Sequence, residues 1–359
     1  MTARFRVVDA GLQEGRFNIA LDEAMLELHQ AGKIPDSVRF IHFLPSALVG
    51  RHQELSQEID VAYCRRHGIG VGRRITGGGA IYLDEGQLGW ELVFSRRTVG
   101  AAALPEVARR ICEAAARGLE RLGIAARFRP RNDIEVDGRK LGGTGGFFDG
   151  DSLIYQGTVL VDLDPATMLG ALRIPQAKLA KRGLDSAAAR VVTLRELLGE
   201  RTPAIAAVEG ALLAGFGQEL GLDFERAPLS DEEHSLARRL YDELIGRDEF
   251  VAEIDGPPRG GGVRIGTHSA AGGTIKAYLR CEGDPARRIA QALITGDFFV
   301  APPRLIYDLE ARLRGIIVDE ALDEVDAFFA VRPAGTATVS AADFRSAIAA
   351  ALAAPWPTR

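Results

Sequence analysis

The sequence predicts an α/β chain of the α+β kind in two domains, and three observations carry that expectation. At 359 residues the chain exceeds the usual span of one hydrophobic core. Apolar runs of period two alternate along it with stretches of helical spacing. Finally, Gly256-Pro257-Pro258-Arg259-Gly260-Gly261-Gly262 breaks all periodicity, which places a linker over 256–262 between a larger domain, 1–255, and a smaller one, 263–359.

In the larger domain, Leu21, Met25 and Leu28 recur at helical spacing over 18–30 and Gly32 marks the stop. Asp22 and Glu23 then fall near the first turn, where they read as partners of the helix dipole. Strands are predicted over 38–43 and 47–49, broken at Pro45, and the second runs into Gly50-Arg51-His52-Gln53. A short helix over 58–66 ends at Gly68, and a strand over 69–72 follows. Ala80–Tyr82 and the alternating Leu88, Trp90, Leu92 and Phe94 read as a hairpin around Glu85-Gly86. Leu104, Ala108, Ile111, Ala115, Leu119 and Leu122 form one face of a long helix that contains Cys112, placed there as a packing residue. Asp137-Gly138 and Asp149-Gly150 are turn signals in a β-prone region. Helices are predicted over 204–220 and 231–245. The smaller domain offers strands over 274–281 and 288–294 and helices over 304–313, 319–329 and 341–352, the last with Ser340 and Asp343 in capping-box spacing.

Glycine-rich segments concentrate the candidate chemistry. Arg73-Arg74-Ile75-Thr76-Gly77-Gly78-Gly79 sits between strands, and two readings of it stand level: a tight turn with solvated arginines, or backbone brought against a ligand with guanidiniums adding charge. A second surface joins Arg131-Asn132-Asp133-Ile134, Gly138-Arg139-Lys140-Leu141-Gly142-Gly143-Thr144 and Gln156-Gly157-Thr158. No helix opens directly after these glycines and no Gly-Lys-Ser/Thr closes them, so neither a dinucleotide fingerprint nor a P-loop is present. Lys178, Lys181, Arg182 and Arg190 around Gly183 form a basic stretch that reads as a solvated loop or as a lid over an anion. Together these pieces suit a nucleotide phosphate beside a second bound group, with Lys140 as a point charge and Asp133 able to hold Mg²⁺.

Composition narrows the classes. A formal net charge of −5 argues against a nucleic-acid footprint. Three cysteines without CxxC spacing suggest reduced thiols, and six histidines without an HExxH pair argue against zinc. No run approaches a membrane span, and the start of the sequence lacks a secretory pattern, so a cytoplasmic protein is expected.

The Arg73–Tyr82 run, Arg131-Asn132-Asp133-Ile134 and Gly138-Arg139-Lys140 with Gly142 resemble, in order and spacing, the motifs of the lipoate-protein ligase A family. Gly50–Gln53 with Glu58 is similar to that family's segment upstream of the triplet, and Lys178–Gly183, Ser186 and Arg190-Val191 resemble its adenylate-binding loop. The segment from Arg264 through Gly296-Asp297-Phe298-Phe299 to Gly315 resembles its C-terminal accessory domain. The resemblance implies a mixed β-sheet catalytic domain of the biotin/lipoate ligase type with flanking helices, followed by a small α+β domain. It implies ATP and Mg²⁺ as cofactors and lipoate as substrate, activated to lipoyl-AMP and transferred to a lysine of a lipoyl carrier domain. Such carriers are a 2-oxoacid dehydrogenase E2, a glycine cleavage H protein or an H-like protein.

By the same resemblance Lys140 is catalytic. Arg51, Arg74, Thr76, Gly77, Gly78, Gly79, Gly142, Thr144, Gln156, Gly157 and Thr158 bind substrate, and Arg74, Asn132, Asp133, Lys140, Lys178 and Gly183 bind nucleotide. The sequence departs from the family where Leu83 precedes Asp84 and where Gln156 precedes Gly157-Thr158, positions at which the family often has histidine. Two alternatives remain: a carrier-protein octanoyl or lipoyl transferase of the same fold, and a non-catalytic binder of lipoate or nucleotide. Related transferases of the cysteine type place a nucleophile near the segment corresponding to Arg131-Asn132-Asp133; none of the three cysteines is expected nearby, so a thioacyl intermediate is disfavoured.

Overall fold

In a computed structural model of the chain, residues 3–100, 103–130, 132–173, 190–256, 262–283, 287–332 and 338–355 are described. The chain divides into two compact units: Met1–Leu48 with Glu58–Arg73 and Ile81–Val251, and Val49–Gln57 with Arg74–Ala80 and Ala252–Arg359. The predicted linker 256–262 lies, over 257–261, outside the described residues.

The larger unit is built on strands β1 (Ala3–Gln13), β2 (Ser37–Phe43), β3 (Ser46–Val49), β4 (Gly70–Arg73), β5 (Ile81–Leu83), β6 (Gln87–Ser95), β7 (Arg127–Arg129), β8 (Asp133–Val136), β9 (Arg139–Asp149), β10 (Ser152–Leu160) and β11 (Leu222–Arg226). Eight of them form one sheet in the order β11-β1-β2-β6-β10-β9-β8-β7. It is mixed, because β1 runs parallel to both β11 and β2 while the remaining neighbours are antiparallel. Helix α1 (Gly15–Gln30) buries Phe17, Leu21, Met25 and Leu28, which recur at helical spacing. Helices α2 (Leu104–Glu120) and α3 (Ile205–Leu220) pack on each other, and Trp90 of β6 meets Phe216 of α3 edge-on at 5.4 Å. Helix α4 (Asp231–Leu240) carries a full capping box at Ser230 and Glu233 and continues as a π-helical turn over Tyr241–Ile245.

Three expectations change. The hairpin around Glu85-Gly86 is not made: β5 pairs with β3, and β6 with β2 and β10, so the turn carries the chain from one sheet to another. Asp84 and Gln87 fix that crossover, the Asp84 N–H donating to Gln87 Oε1 at 2.7 Å and the Gly86 N–H to Asp84 Oδ1 at 2.8 Å. Helix α1 starts at Gly15, so Asp22 lies in its second turn, buried, and is no dipole partner. The helix over 58–66 splits into Leu55–Glu58 and Val61–Arg66, the second capped by Asp60.

The smaller unit is an antiparallel meander of β12 (Val263–Ala270), β13 (Gly273–Glu282) and β14 (Arg288–Gly296) with helices α5 (Leu305–Leu313), α6 (Ala321–Val331) and α7 (Ala341–Ala353). Its core joins Ile275, Leu279, Ile294, Phe298, Leu309, Phe328, Phe344 and Ile348. Strand β12 is absent from the sequence reading; Ser340 and Asp343 form the expected capping box.

Candidate functional site

In the larger unit, the Asp137-Gly138 turn, both residues at positive φ as a two-residue hairpin requires, sets β8 against β9. That pairing brings Asp133 and Lys140 together: Lys140 Nζ lies 2.9 Å from Asp133 Oδ1, and Arg129 Nη2 holds Oδ2 at 2.6 Å. Arg129 and Arg127 also pair with Glu135, at 3.0 and 2.8 Å. Burial alone would raise the Asp133 carboxyl, but Lys140 and Arg129 hold it below the ordinary carboxylate value. Three cations thus face two carboxylates, leaving one positive charge in surplus at a place that suits an anion. The Lys140 backbone is pinned as well, its N–H donating to Arg190 O at 2.7 Å and its carbonyl accepting from Val192 N at 2.9 Å. The ion pair engages one of the ammonium's three donors.

Glycines bring the neighbouring backbone close. A Cβ on Gly142 would lie 1.8 Å from Thr158 O, and one on Gly157 would lie 2.1 Å from the Trp90 ring. A Cβ on Gly143 would meet Lys140 Nζ at 2.7 Å, so glycine here leaves room for the ammonium. Thr158 Oγ1 accepts from Gly143 N at 3.2 Å. Thr144 and Asn132 are bonded three times: Thr144 N and Oγ1 donate to Asn132 O at 2.8 and 3.1 Å, and Asn132 Nδ2 donates to Thr144 O at 3.1 Å.

One sequence inference is corrected here. Cys112, distant in sequence, stands in space beside this segment: its Sγ is 3.3 Å from Thr144 Oγ1 and 3.4 Å from the Tyr155 hydroxyl. It is fully buried on α2, and burial pushes its thiol up, which disfavours the thiolate a nucleophile needs.

Gln156 Nε2 donates to Glu91 Oε2 at 2.8 Å, and Glu91 Oε1 accepts from Arg39 Nε at 2.9 Å. Arg39 also pairs with Asp22 of α1. Asp22, Arg39 and Glu91 are buried, and burial with the nearby Glu91 charge pushes the Asp22 carboxyl up to about 8. The sequence reading missed this cluster, although Arg39 and Glu91 are opposite charges directly paired across β2 and β6.

Asp133 does not fit a metal as it stands, because each of its oxygens already holds a cation. Among the described residues, Asp9, His42 and Glu209 bring ligand atoms within 4.8 Å of one another, but Arg226 also pairs with Glu209 at 3.8 Å, and none of the three was singled out from the sequence. A cleft of about 360 Å³ opens beside the start of α1, lined by Gly15, Arg16, Leu44, Ser46, Val71 and Tyr241. Its polar groups are engaged internally: Gly15 N donates to Ser46 Oγ, and Arg16 donates to the carbonyls of Val71 and Gly246.

The other predicted residues belong to the smaller unit. Gly77 and Gly78 are explained by their own chain: a Cβ on Gly77 would lie 2.3 Å from Phe298 O, Gly78 N donates to that oxygen at 3.0 Å, and Gly78, at φ +90°, faces the Phe299 ring. A Cβ on Gly79 would meet nothing closer than Asp297 Cβ at 4.0 Å. Arg74 donates to the carbonyls of Gly77 and Gly79 at 3.0 and 2.8 Å, and Thr76 O accepts from Arg51 N at 2.9 Å. The Arg51 guanidinium pairs with Glu253 and lies 5.1 Å from the Tyr307 ring centre. Arg73, in the larger unit, is buried and donates to Phe250 and Val251 carbonyls. Lys178 and Gly183 lie outside the described residues.

Comparison with known proteins fits this geometry. The family model of the lipoyl protein ligase A/B catalytic domain matches residues 14–217. Lipoate-protein ligase A subunit 1 of Thermoplasma acidophilum is 29% identical over 245 residues, 66% of this chain and 91% of its own. Octanoyltransferase LipM of Kyrpidia tusciae is 30% identical over 270 residues, 68% of this chain and 97% of its own. Among solved structures, the bipartite lipoate protein ligase of T. acidophilum, described with its E2 lipoyl domain, has a TM-score of 0.63 at 26% identity, covering 71% of this chain and 99% of that one. A T. acidophilum structure with bound lipoic acid (TM-score 0.59, 26% identity, 70% and 100% covered) and a lipoate-protein ligase A bound with ATP (0.61, 26%, 71% and 100%) have the same fold. The family model spans more than half of the sequence, and the sheet and helices it matches carry the Lys140 cluster: the chain belongs to the lipoyl protein ligase A/B catalytic-domain family.

Proposed function

We propose that this chain is an ATP-dependent lipoate-protein ligase. The observation that carries the reading is Lys140, a half-exposed ammonium held by Asp133 in a cluster with surplus positive charge, beside a cysteine too buried to serve as nucleophile. Two anions must meet in the first step, when a lipoate carboxylate oxygen attacks the α-phosphorus of ATP and pyrophosphate leaves. In the second, the amine of a carrier lysine attacks the acyl carbon and AMP leaves. Both steps build charge on oxygens shared by the phosphate and the acyl group, and a cation fixed in advance stabilises that charge without reorganisation. Lys140 fills this role with its two remaining donors.

Asn132 and Asp133 orient Lys140 and the nucleotide, and Gly142, Thr144, Gln156, Gly157 and Thr158 form the acyl side. Arg51, Arg74, Thr76 and the Gly77–Gly79 run are proposed as substrate contacts on sequence grounds, with Gly79 as the glycine whose own surroundings leave most room. Lys178 and Gly183 join the nucleotide contacts on sequence grounds. Mg²⁺ would accompany the triphosphate, and no step runs through a metal at Asp133. The proposed division of labour is a catalytic domain over 1–255 and an accessory domain over 263–359, in a cytoplasmic enzyme whose acceptor is a lipoyl carrier domain such as an E2, an H protein or an H-like protein. Among the described residues no helix is long and apolar enough to cross a membrane.

A second reading, octanoyl transfer between carriers, is favoured by the 30% identical transferase relative. One experiment separates the two. The chain is incubated with lipoate, Mg-ATP and a lipoyl carrier domain while pyrophosphate and carrier mass are followed. Stoichiometric pyrophosphate and a lipoylated carrier support the ligase; acyl exchange from an octanoyl carrier without pyrophosphate supports the transferase, and binding with neither product a non-catalytic role.

A further inference from the structure

Gln156 is the one predicted acyl-side residue whose side chain is tied to a buried charge cluster. Its Nε2 donates to Glu91 Oε2 at 2.8 Å. Glu91 belongs to the buried cluster under α1, where Arg39 pairs with both Glu91 and Asp22. A primary amide has two N–H donors and one carbonyl acceptor. The Glu91 carboxylate accepts and cannot donate, so it holds the nitrogen inward and leaves Oε1 on the far side of the amide. Gln156 is half-buried, and strand alternation puts it on the same face of β10 as Thr158, whose hydroxyl bonds Gly143, the residue beside the Lys140 ammonium. The site face therefore offers donors at Lys140 and, one alternation along the strand, an acceptor.

Resting on the ligase reading above, we propose that Gln156 Oε1 receives an N–H of the carrier lysine's amine and aims its nitrogen at the acyl carbon, with Glu91 as the positioning residue that keeps the amide from turning over. The acyl and phosphate oxygens are acceptors and are repelled by Oε1; the incoming amine is the donor that the second step introduces. As the nitrogen attacks, the C–N bond forms and the C–O bond to AMP breaks. AMP leaves with the electron pair, and the surplus amine proton passes to water. Gln156 keeps the hydrogen bond and takes no proton. With its nitrogen turned to Glu91, the glutamine presents its acceptor.

The test compares two rates in each protein: lipoate-dependent pyrophosphate–ATP exchange without carrier, and single-turnover transfer from purified lipoyl-adenylate to a lipoyl carrier domain. In Gln156→Met, close in size but without the acceptor, transfer should fall at least tenfold more than exchange. Glu91→Gln, which removes one inward acceptor and lets the amide turn, should move the same ratio in the same direction. A parallel fall in both rates would mean that Gln156 contacts the nucleotide or acyl chain, and an unchanged ratio that it contacts nothing in the transfer step; either overturns the inference. Absence of exchange in the unaltered protein would instead overturn the ligase reading.

Discussion

Replacing Cys112 by alanine separates the two reactions open to this fold. The sulfur is fully buried on α2 and touches the hydroxyls of Thr144 and Tyr155. Those hydroxyls hold each other at 2.8 Å, and Thr144 Oγ1 also donates to Asn132 O at 3.1 Å, so removing the thiol orphans neither. The cost is then one heavy atom's burial and a small cavity, about 1–2 kcal/mol. For a unit of this size that lowers Tm by roughly 2–8 °C. If acyl transfer proceeds through an adenylate, Cys112→Ala should lipoylate the carrier at a rate within a few-fold of the unaltered protein once assayed below its Tm. A thiol nucleophile would make the same substitution lose about a thousandfold or more, in line with removal of other covalent catalysts. Thermal denaturation and carrier mass measured on one preparation decide the matter. A near-complete loss of transfer with Tm lowered by only those few degrees would refute the argument from burial.

Lys140→Ala should lower pyrophosphate–ATP exchange by about 10²–10³-fold, the usual effect of deleting one preorganised stabilising group, while the circular dichroism spectrum is unchanged; near-normal exchange would remove Lys140 from the mechanism. Gly143→Ala and Gly157→Ala should fail differently. The first displaces only the far end of the Lys140 side chain and should reduce turnover with little change in Tm. The second drives a methyl into the buried Trp90 ring and should cost about 1–3 kcal/mol of stability, read by urea denaturation. Asp22 ionises near 3.8 in an unfolded chain but at about 8 when folded, so between these values the folded state holds the extra proton. Its contribution is full below pH 4 and is lost as pH rises toward and through 8. Asp22→Asn should accordingly flatten the fall in stability between pH 5 and 8; an unaltered slope would show that the carboxyl is ionised in the fold.

The parts of this fold that were legible from sequence are those where local chemistry decides. Helix α2 follows its apolar stripe, and the Asp137-Gly138 and Asp149-Gly150 turns lie where two adjacent strands need positive φ. Partner choice was not legible. Leu83 and Gln87 are four residues apart yet belong to different sheets, because β5 finds β3 and β6 finds β2 and β10. At the site, Lys140 and Asp133 were readable as motif residues, but Arg129 and Glu135, which set the local charge balance, carried no motif. The glycine triplet drew attention as a ligand loop. In space Gly77 and Gly78 make room for Phe298 and Phe299, more than two hundred positions away. A glycine reports that something comes close; the sequence alone cannot distinguish a ligand from a distant part of the chain.

The central claim, that the acyl group is activated as an adenylate by this chain alone, is tested most directly by lipoate-dependent exchange of labelled pyrophosphate into ATP in the absence of any carrier. Exchange should require lipoate and fall by about 10²–10³-fold in Lys140→Ala. Absence of exchange in the unaltered protein, with the same preparation moving octanoyl groups between carriers, would contradict it.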